Sequence, residues 1–188
     1  GGVLLFAAIL LILPRFFAVI EARQGIVLND WLLHIIPSMD SSVIIFILVW
    51  STCLLVIARC IQQPAIFLMI LYFLIFITLT RILTISIISL EPPTGLIILK
   101  DPLTSLSYGG KGIFITKDLF FSGHTSNLFM FYLCLQKKRD KQFALFTSLL
   151  VGSLVLVQHV HYSIDVIGAF IFTYLLVKYS KHLGLINL

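Results

Sequence analysis

Six apolar runs divide the chain, at residues 3–20, 42–61, 65–90, 119–136, 142–158 and 162–179. Each is close to the roughly 20 apolar residues that a helix needs to cross a bilayer core of about 30 Å. Polar residues gather in the short stretches between them, the longest being Glu91 to Asp118. The pattern predicts an all-α polytopic membrane protein with six transmembrane helices, a single domain over residues 1–188. Pro64 stands at the start of the third run, where a missing N–H costs a helix little. The fifth and sixth runs are short, so their junction is expected to dip into the bilayer. The first run carries no basic leader, which speaks against a cleaved signal peptide.

Composition agrees with this. Hydrophobic residues make up 60% of the chain and charged residues 11%, against about 45–50% and 25% in soluble domains. The net charge of +5 follows membrane topology and is not a nucleic-acid signal. Arg59, Lys137, Lys138, Arg139, Lys141, Lys178 and Lys181 fall on one side of the predicted bundle. Arg23, Lys100, Lys111 and Lys117 fall on the other. The richer side is the cytoplasmic one by the positive-inside rule, which puts both termini there. The acidic residues Glu21, Asp30, Asp40, Glu91, Asp101 and Asp118 then lie on the non-cytoplasmic face. Cys53, Cys60 and Cys134 sit inside apolar runs without metal or redox spacing and read as small core residues.

Two helix starts carry the chemistry. Asp118-Leu-Phe-Phe-Ser122-Gly123-His124-Thr125 opens the fourth run, and His161-Tyr-Ser-Ile-Asp165 opens the sixth. Helix N-termini expose unpaired N–H groups and the positive end of the dipole, an anion site. Ser122 is expected to cap, and Gly123 to let a phosphate approach the backbone. His161 and Asp165 are one turn apart, so the carboxylate can take the Nδ1 proton and leave Nε2 as a nucleophile. His124 suits the role of general acid on the departing oxygen. Arg81, deep in the third run, is a phosphate clamp candidate, with Thr84 on its face and Lys111 or Lys117 as helpers. Asp118 and Thr84 are candidate supporting positions, and His159 is either a third or an ordinary helix or interface residue. His34 and His182 read as ordinary helix or interface residues. A metal site from His124, His159 and His161 is the weaker alternative, because His-x-His without a carboxylate motif is a poor zinc signal. No cofactor is implied.

Ser122-Gly123-His124 followed by His161-x-x-x-Asp165 resembles the type 2 phosphatidic acid phosphatase superfamily, and within it the sphingomyelin synthases. Asp118 through Thr125 is similar to that branch's D-x-x-x-S-G-H-T, and His161 through Val166 to its H-Y-[ST]-x-D-V. Arg81 and Thr84 resemble its third motif region, and Pro37-Ser-Met-Asp40 loosely its first-loop motif. The resemblance implies that His161 attacks phosphorus, Asp165 orients it and His124 serves the leaving group. It also implies transfer of a phospho-headgroup from a glycerophospholipid to ceramide, or to a diacylglycerol-like acceptor, without a metal. Thr116-Lys117 departs from the branch, which has Cys-Gly there.

Monoester phosphatases of the superfamily carry an arginine six residues before the nucleophilic histidine, where this chain has Val155. A monoester bears about two negative charges near neutral pH and a diester one, so fewer cations suit a diester. The alternative within enzymes is a lipid phosphatase or phospholipase C-like hydrolase with water as acceptor. A transporter or scaffold fits less well, because the polar groups cluster at one face rather than at the midplane of repeated helices. Membrane lipids are the expected partners, and a homo-oligomer is compatible with the sequence.

Overall fold

The computed structural model describes residues 1–99 and 114–182. Lys100, Asp101 and Lys111, and the side chains of Lys181 and His182, lie outside the described residues. Among those described, seven helices follow in order: α1 (Gly2–Ala22), α2 (Trp31–Ile35), α3 (Ser42–Gln62), α4 (Pro64–Ile87), α5 (Gly123–Cys134), α6 (Lys138–Val157) and α7 (Ser163–His182). Strands are absent from the described residues apart from one isolated bridge between Ile26 and Leu90.

Five helices, α1, α3, α4, α6 and α7, are long and apolar enough to cross a membrane, and they fall on five of the six runs. The chain is thus built as an integral membrane protein. In α1 and α3 only 22% of the most apolar window is buried. Their outer faces (Leu4, Leu11 and Ile12 on α1, Leu54 and Ile61 on α3) are exposed, as expected of helices that face lipid.

The fourth run departs from expectation. Its helix, α5, has 12 residues, about 18 Å at 1.5 Å per residue, which is short of the bilayer core. Leu119 to Ser122 precede the helix instead of extending it. The reason lies on α4: Arg81 Nε donates to the carbonyl of Phe121 at 2.8 Å and the Thr84 hydroxyl to that of Phe120 at 2.9 Å. Those carbonyls are then taken by side chains rather than by a helical ladder. At the far end, Leu135 is extended. The expectation of six membrane-spanning helices is therefore met by five, with a short sixth helix inside the bundle.

That short helix is the centre of the fold. Leu128, Met130 and Phe131 of α5 join Phe73 and Ile77 of α4, Val151 and Val155 of α6 and Val166 of α7 in one core. α1 stands at the edge, packed on α4 through Ile9, Leu13 and Phe17 against Leu71, Ile75 and Ile85. Several polar side chains inside the bundle are paired, as an apolar surround favours. Thr52 of α3 and Thr147 of α6 meet at 3.1 Å, and Arg59 holds Asp140 through two nitrogens, at 2.6 and 3.3 Å.

Hydrogen bonds tie the polar connections to the helix ends. Arg23 donates to the carbonyls of Ile85, Ser86 and Ile88 and so satisfies the open C-terminus of α4. The Glu21 carboxylate accepts from the backbone of Thr116 and Lys117 and from the Thr116 hydroxyl. Lys117 donates to Glu91 at 2.9 Å and to the Arg23 carbonyl. The hydrogen bond from Lys117, helped by the Gly25 N–H, holds the Glu91 carboxyl below its ordinary value. Together these contacts fix residues 114–118 as a strap across the ends of α1 and α4.

Candidate active site

The strap delivers Asp118 to Arg81. Arg81 Nη2 lies 2.6 Å from Asp118 Oδ1 while Nε reaches the Phe121 carbonyl, so the guanidinium is held on two edges. Its flat face covers Gly123. A methyl group at Gly123 would come within 2.6–3.0 Å of the guanidinium atoms, closer than van der Waals contact permits. Glycine at the start of α5 therefore makes room for the arginine, where the sequence suggested room for a phosphate.

The second half comes from the turn between α6 and α7. His161 Nδ1 faces Asp165 Oδ2 at 3.3 Å, with Asp165 fully buried. The same Asp165 oxygen accepts the Tyr162 N–H at 2.9 Å, which fixes the carboxylate and through it the ring. Nε2, on the opposite edge, is the atom left for chemistry. The Tyr162 hydroxyl donates to the Glu91 carbonyl at 2.9 Å and accepts the Leu28 N–H. Burial pushes this phenol above its ordinary value of 10.0, so it stays a donor. One residue on, Ser163 donates its N–H to Asp30 at 2.6 Å and its hydroxyl at 3.0 Å. Asp30 also accepts from Leu32 and Leu33 at the start of α2, and so caps two helices at once. Its burial pushes the carboxyl up, but the four hydrogen bonds outweigh this and hold it below the ordinary value.

The two halves are joined by backbone. The Ser122 N–H donates to the Asp165 carbonyl at 3.2 Å, which sets the start of α5 against the first turn of α7. Between them and α4 lies a cavity of about 630 Å³ lined by Arg81, Asp118, Gly123, His124 and His161. It continues along α1 past Phe6, Leu10 and Leu13, and between α4 and α5 past Leu74, Leu128 and Phe131. A polar end with two histidines and an arginine thus opens into an apolar chamber.

Several expected roles move. Ser122 makes no side-chain cap; its hydroxyl is buried and bonds Thr125 Oγ1 at 3.1 Å. Lys117 is engaged with Glu91 and does not line the cavity. Thr84 donates to the Phe120 carbonyl and does not line the cavity. Nor does His159 line it. Its Nδ1 lies 2.8 Å from the Thr94 carbonyl and its Nε2 2.9 Å from that of Ile36. The backbone at His159 has φ 54°, the left-handed region, and Gly95 lies so close below that a Cβ there would sit 3.1 Å from Nδ1. A shared metal for His124, His159 and His161 is not formed: among the described residues no three His, Cys, Asp or Glu side chains converge. Val155 is fully buried in the core and does not line the cavity. The sequence reading missed Thr78 and Asn127, which line it; their spacing of three from Arg81 and His124 was the available signal.

Comparison with known proteins adds one match. The family model described as PAP2 superfamily C-terminal covers residues 117–183, just over a third of the chain and the part that holds both histidines. It supports the type 2 phosphatidic acid phosphatase superfamily, and with it phosphoesterase or phosphotransferase chemistry on phosphate esters in a membrane. No curated protein and no solved structure matches the chain.

Proposed function

We propose that this chain is a lipid phospho-headgroup transferase of sphingomyelin synthase type, moving a headgroup from a glycerophospholipid to ceramide or a similar lipid alcohol. The observation that carries this reading is the single cavity in which His161, His124 and Arg81 meet above an apolar chamber. His161 Nε2 attacks phosphorus, and the bond from phosphorus to the donor's glycerol oxygen breaks. His124 gives that oxygen its proton. The acceptor hydroxyl then attacks the phosphohistidine, its proton passes to His124, and the histidine is released. Asp165 holds His161 in the tautomer that attacks.

The charge balance favours a diester. Arg81 is paired with Asp118 and Lys117 with Glu91, so the cavity offers little excess positive charge for a doubly charged monoester. The distribution of lysine and arginine supports a site on the non-cytoplasmic face. The test is the product profile of labelled phosphatidylcholine with the purified protein, with and without ceramide. A labelled ceramide product is expected. Release of free phospho-headgroup irrespective of ceramide would replace this reading with a hydrolase, and faster cleavage of phosphatidic acid than of any diester would replace it with a phosphatase.

A further inference from the structure

Thr78 on α4 and Asn127 on α5 line the same cavity as the histidines. Thr78 stands three residues before Arg81, and Asn127 three after His124. The two helices run in opposite directions from the point where Gly123 meets Arg81, so both steps lead the same way, about 4.5 Å further into the bundle. Two polar side chains thus form a second level beneath the phosphate level, with Leu74, Leu128 and Phe131 around them.

Neither side chain is used by the fold of the described residues. Thr80, Thr84 and Ser86 on the same helix each bring the hydroxyl within hydrogen-bond distance of a carbonyl three or four residues back, the usual resort of a hydroxyl in an apolar helix. Among the described residues, Thr78 makes no such bond and the Asn127 carboxamide has no partner. Hydrogen-bonding capacity left open in an apolar chamber costs free energy, and a ligand that fills it recovers that cost. The carboxamide offers two donors and an acceptor, and the hydroxyl one donor.

We infer that Thr78 and Asn127 form a subsite for the carbonyl of the ester or amide that joins an acyl chain to the lipid backbone. Resting on the proposed function, this gives the order of the bound lipid: phosphorus at Arg81 and His161, the linkage carbonyl one level down, and the chain in the apolar chamber. Such a group lies a few bonds from the transferred phosphate in the donor and from the reacting hydroxyl in an amide-linked acceptor. The subsite therefore reads the part of the lipid that headgroup and chain leave unspecified.

The experiment compares diacyl phosphatidylcholine with its dialkyl ether analogue as donor, and ceramide with an N-alkyl sphingoid base as acceptor. Native protein, Thr78→Val and Asn127→Leu are run side by side in mixed micelles. The native protein is expected to favour the carbonyl-bearing lipid in one arm by about three- to tenfold in kcat/KM, the worth of one neutral hydrogen bond. That arm identifies whether donor or acceptor occupies the subsite. Both variants should bring the ratio toward one, a readout that a loss of folded protein does not move. Equal turnover of both members of each pair by the native protein would overturn the subsite alone, and requires no variant. A preference that survives both substitutions would overturn the assignment to these residues. No turnover of any lipid would overturn the proposed function and the subsite with it.

Discussion

Among the described residues the bundle holds two arginine–aspartate pairs, one at each end, and they differ in everything but their chemistry. At one end Arg59 of α3 meets Asp140 of α6 through two nitrogens and adds Gln62 at 2.9 Å. Neither residue of the pair lines the cavity that holds the two histidines. At the other end Arg81 gives one nitrogen to Asp118 and another to a carbonyl, and lies flat on Gly123 facing a cavity. The first pair joins two helices and is complete. The second is held by its surroundings and also lines the cavity, where the proposed function gives it an anion to bind. A buried charge in a membrane helix is therefore a question about its neighbours before it is a question about function.

The sharpest break in this comparison is at the cavity end. His161→Ala should leave a monodisperse, folded protein with no measurable transfer of headgroup. His124→Ala should fall by about a hundredfold or more, within the range for a lost general acid. Retention of near-native rates by His161→Ala would remove the nucleophile from the scheme. An arginine supplied without any partner gives the next effect: Val155→Arg would put a guanidinium into a fully buried core position, and little folded protein should be recovered by size exclusion in detergent. Recovery of a stable variant that cleaves phosphatidic acid would show that Val155 does border the substrate.

Arg81→Ala should lower kcat/KM by about ten- to a hundredfold, the worth of one charge-assisted hydrogen bond or slightly more, with monoester and diester donors affected alike. Lysine should not restore it, because an ammonium cannot serve the carboxylate and the carbonyl along fixed edges. Gly123→Ala tests the same contact from below and should cost activity by displacing the guanidinium. Arg59→Ala should do the reverse, lowering the melting temperature while the folded fraction keeps its kcat/KM. The smallest effect concerns Asp30. Its hydrogen bonds stabilise the fold fully above the ordinary carboxyl value of 3.8, and that contribution is lost as pH falls through the lower value of the folded protein. Asp30→Ala should therefore melt a few degrees below the native protein near neutrality, with the gap closing below pH 4.

Five helices could be read from the chain to within a few residues, because apolar runs and Pro64 fix both their length and their ends. The late start of α5 could not, since Leu119, Phe120 and Phe121 are apolar enough to extend a helix. What stops them is a pair of side chains on α4, about forty residues away. The two histidines that line the cavity stood out in the chain because Ser-Gly-His and His-x-x-x-Asp are short-range patterns. Partners at long range were not: Lys117 could have faced a phosphate but meets Glu91, and Ser122 could have capped α5 but meets Thr125. Thr78 escaped notice because a threonine in an apolar helix is expected to bond its own backbone.

The Arg81–Asp118 pair also crosses the boundary of residues 117–183, the segment that the superfamily model matches. That segment brings the two histidines, Asp165 and Asp118, while the cation comes from a helix outside it. A graft of residues 117–183 onto four unrelated helices would thus transplant a carboxylate without its counter-ion, and the recipient would repel the anion it was meant to bind. Modularity here has its seam one helix earlier: a transplant or a minimal scaffold has to begin no later than α4.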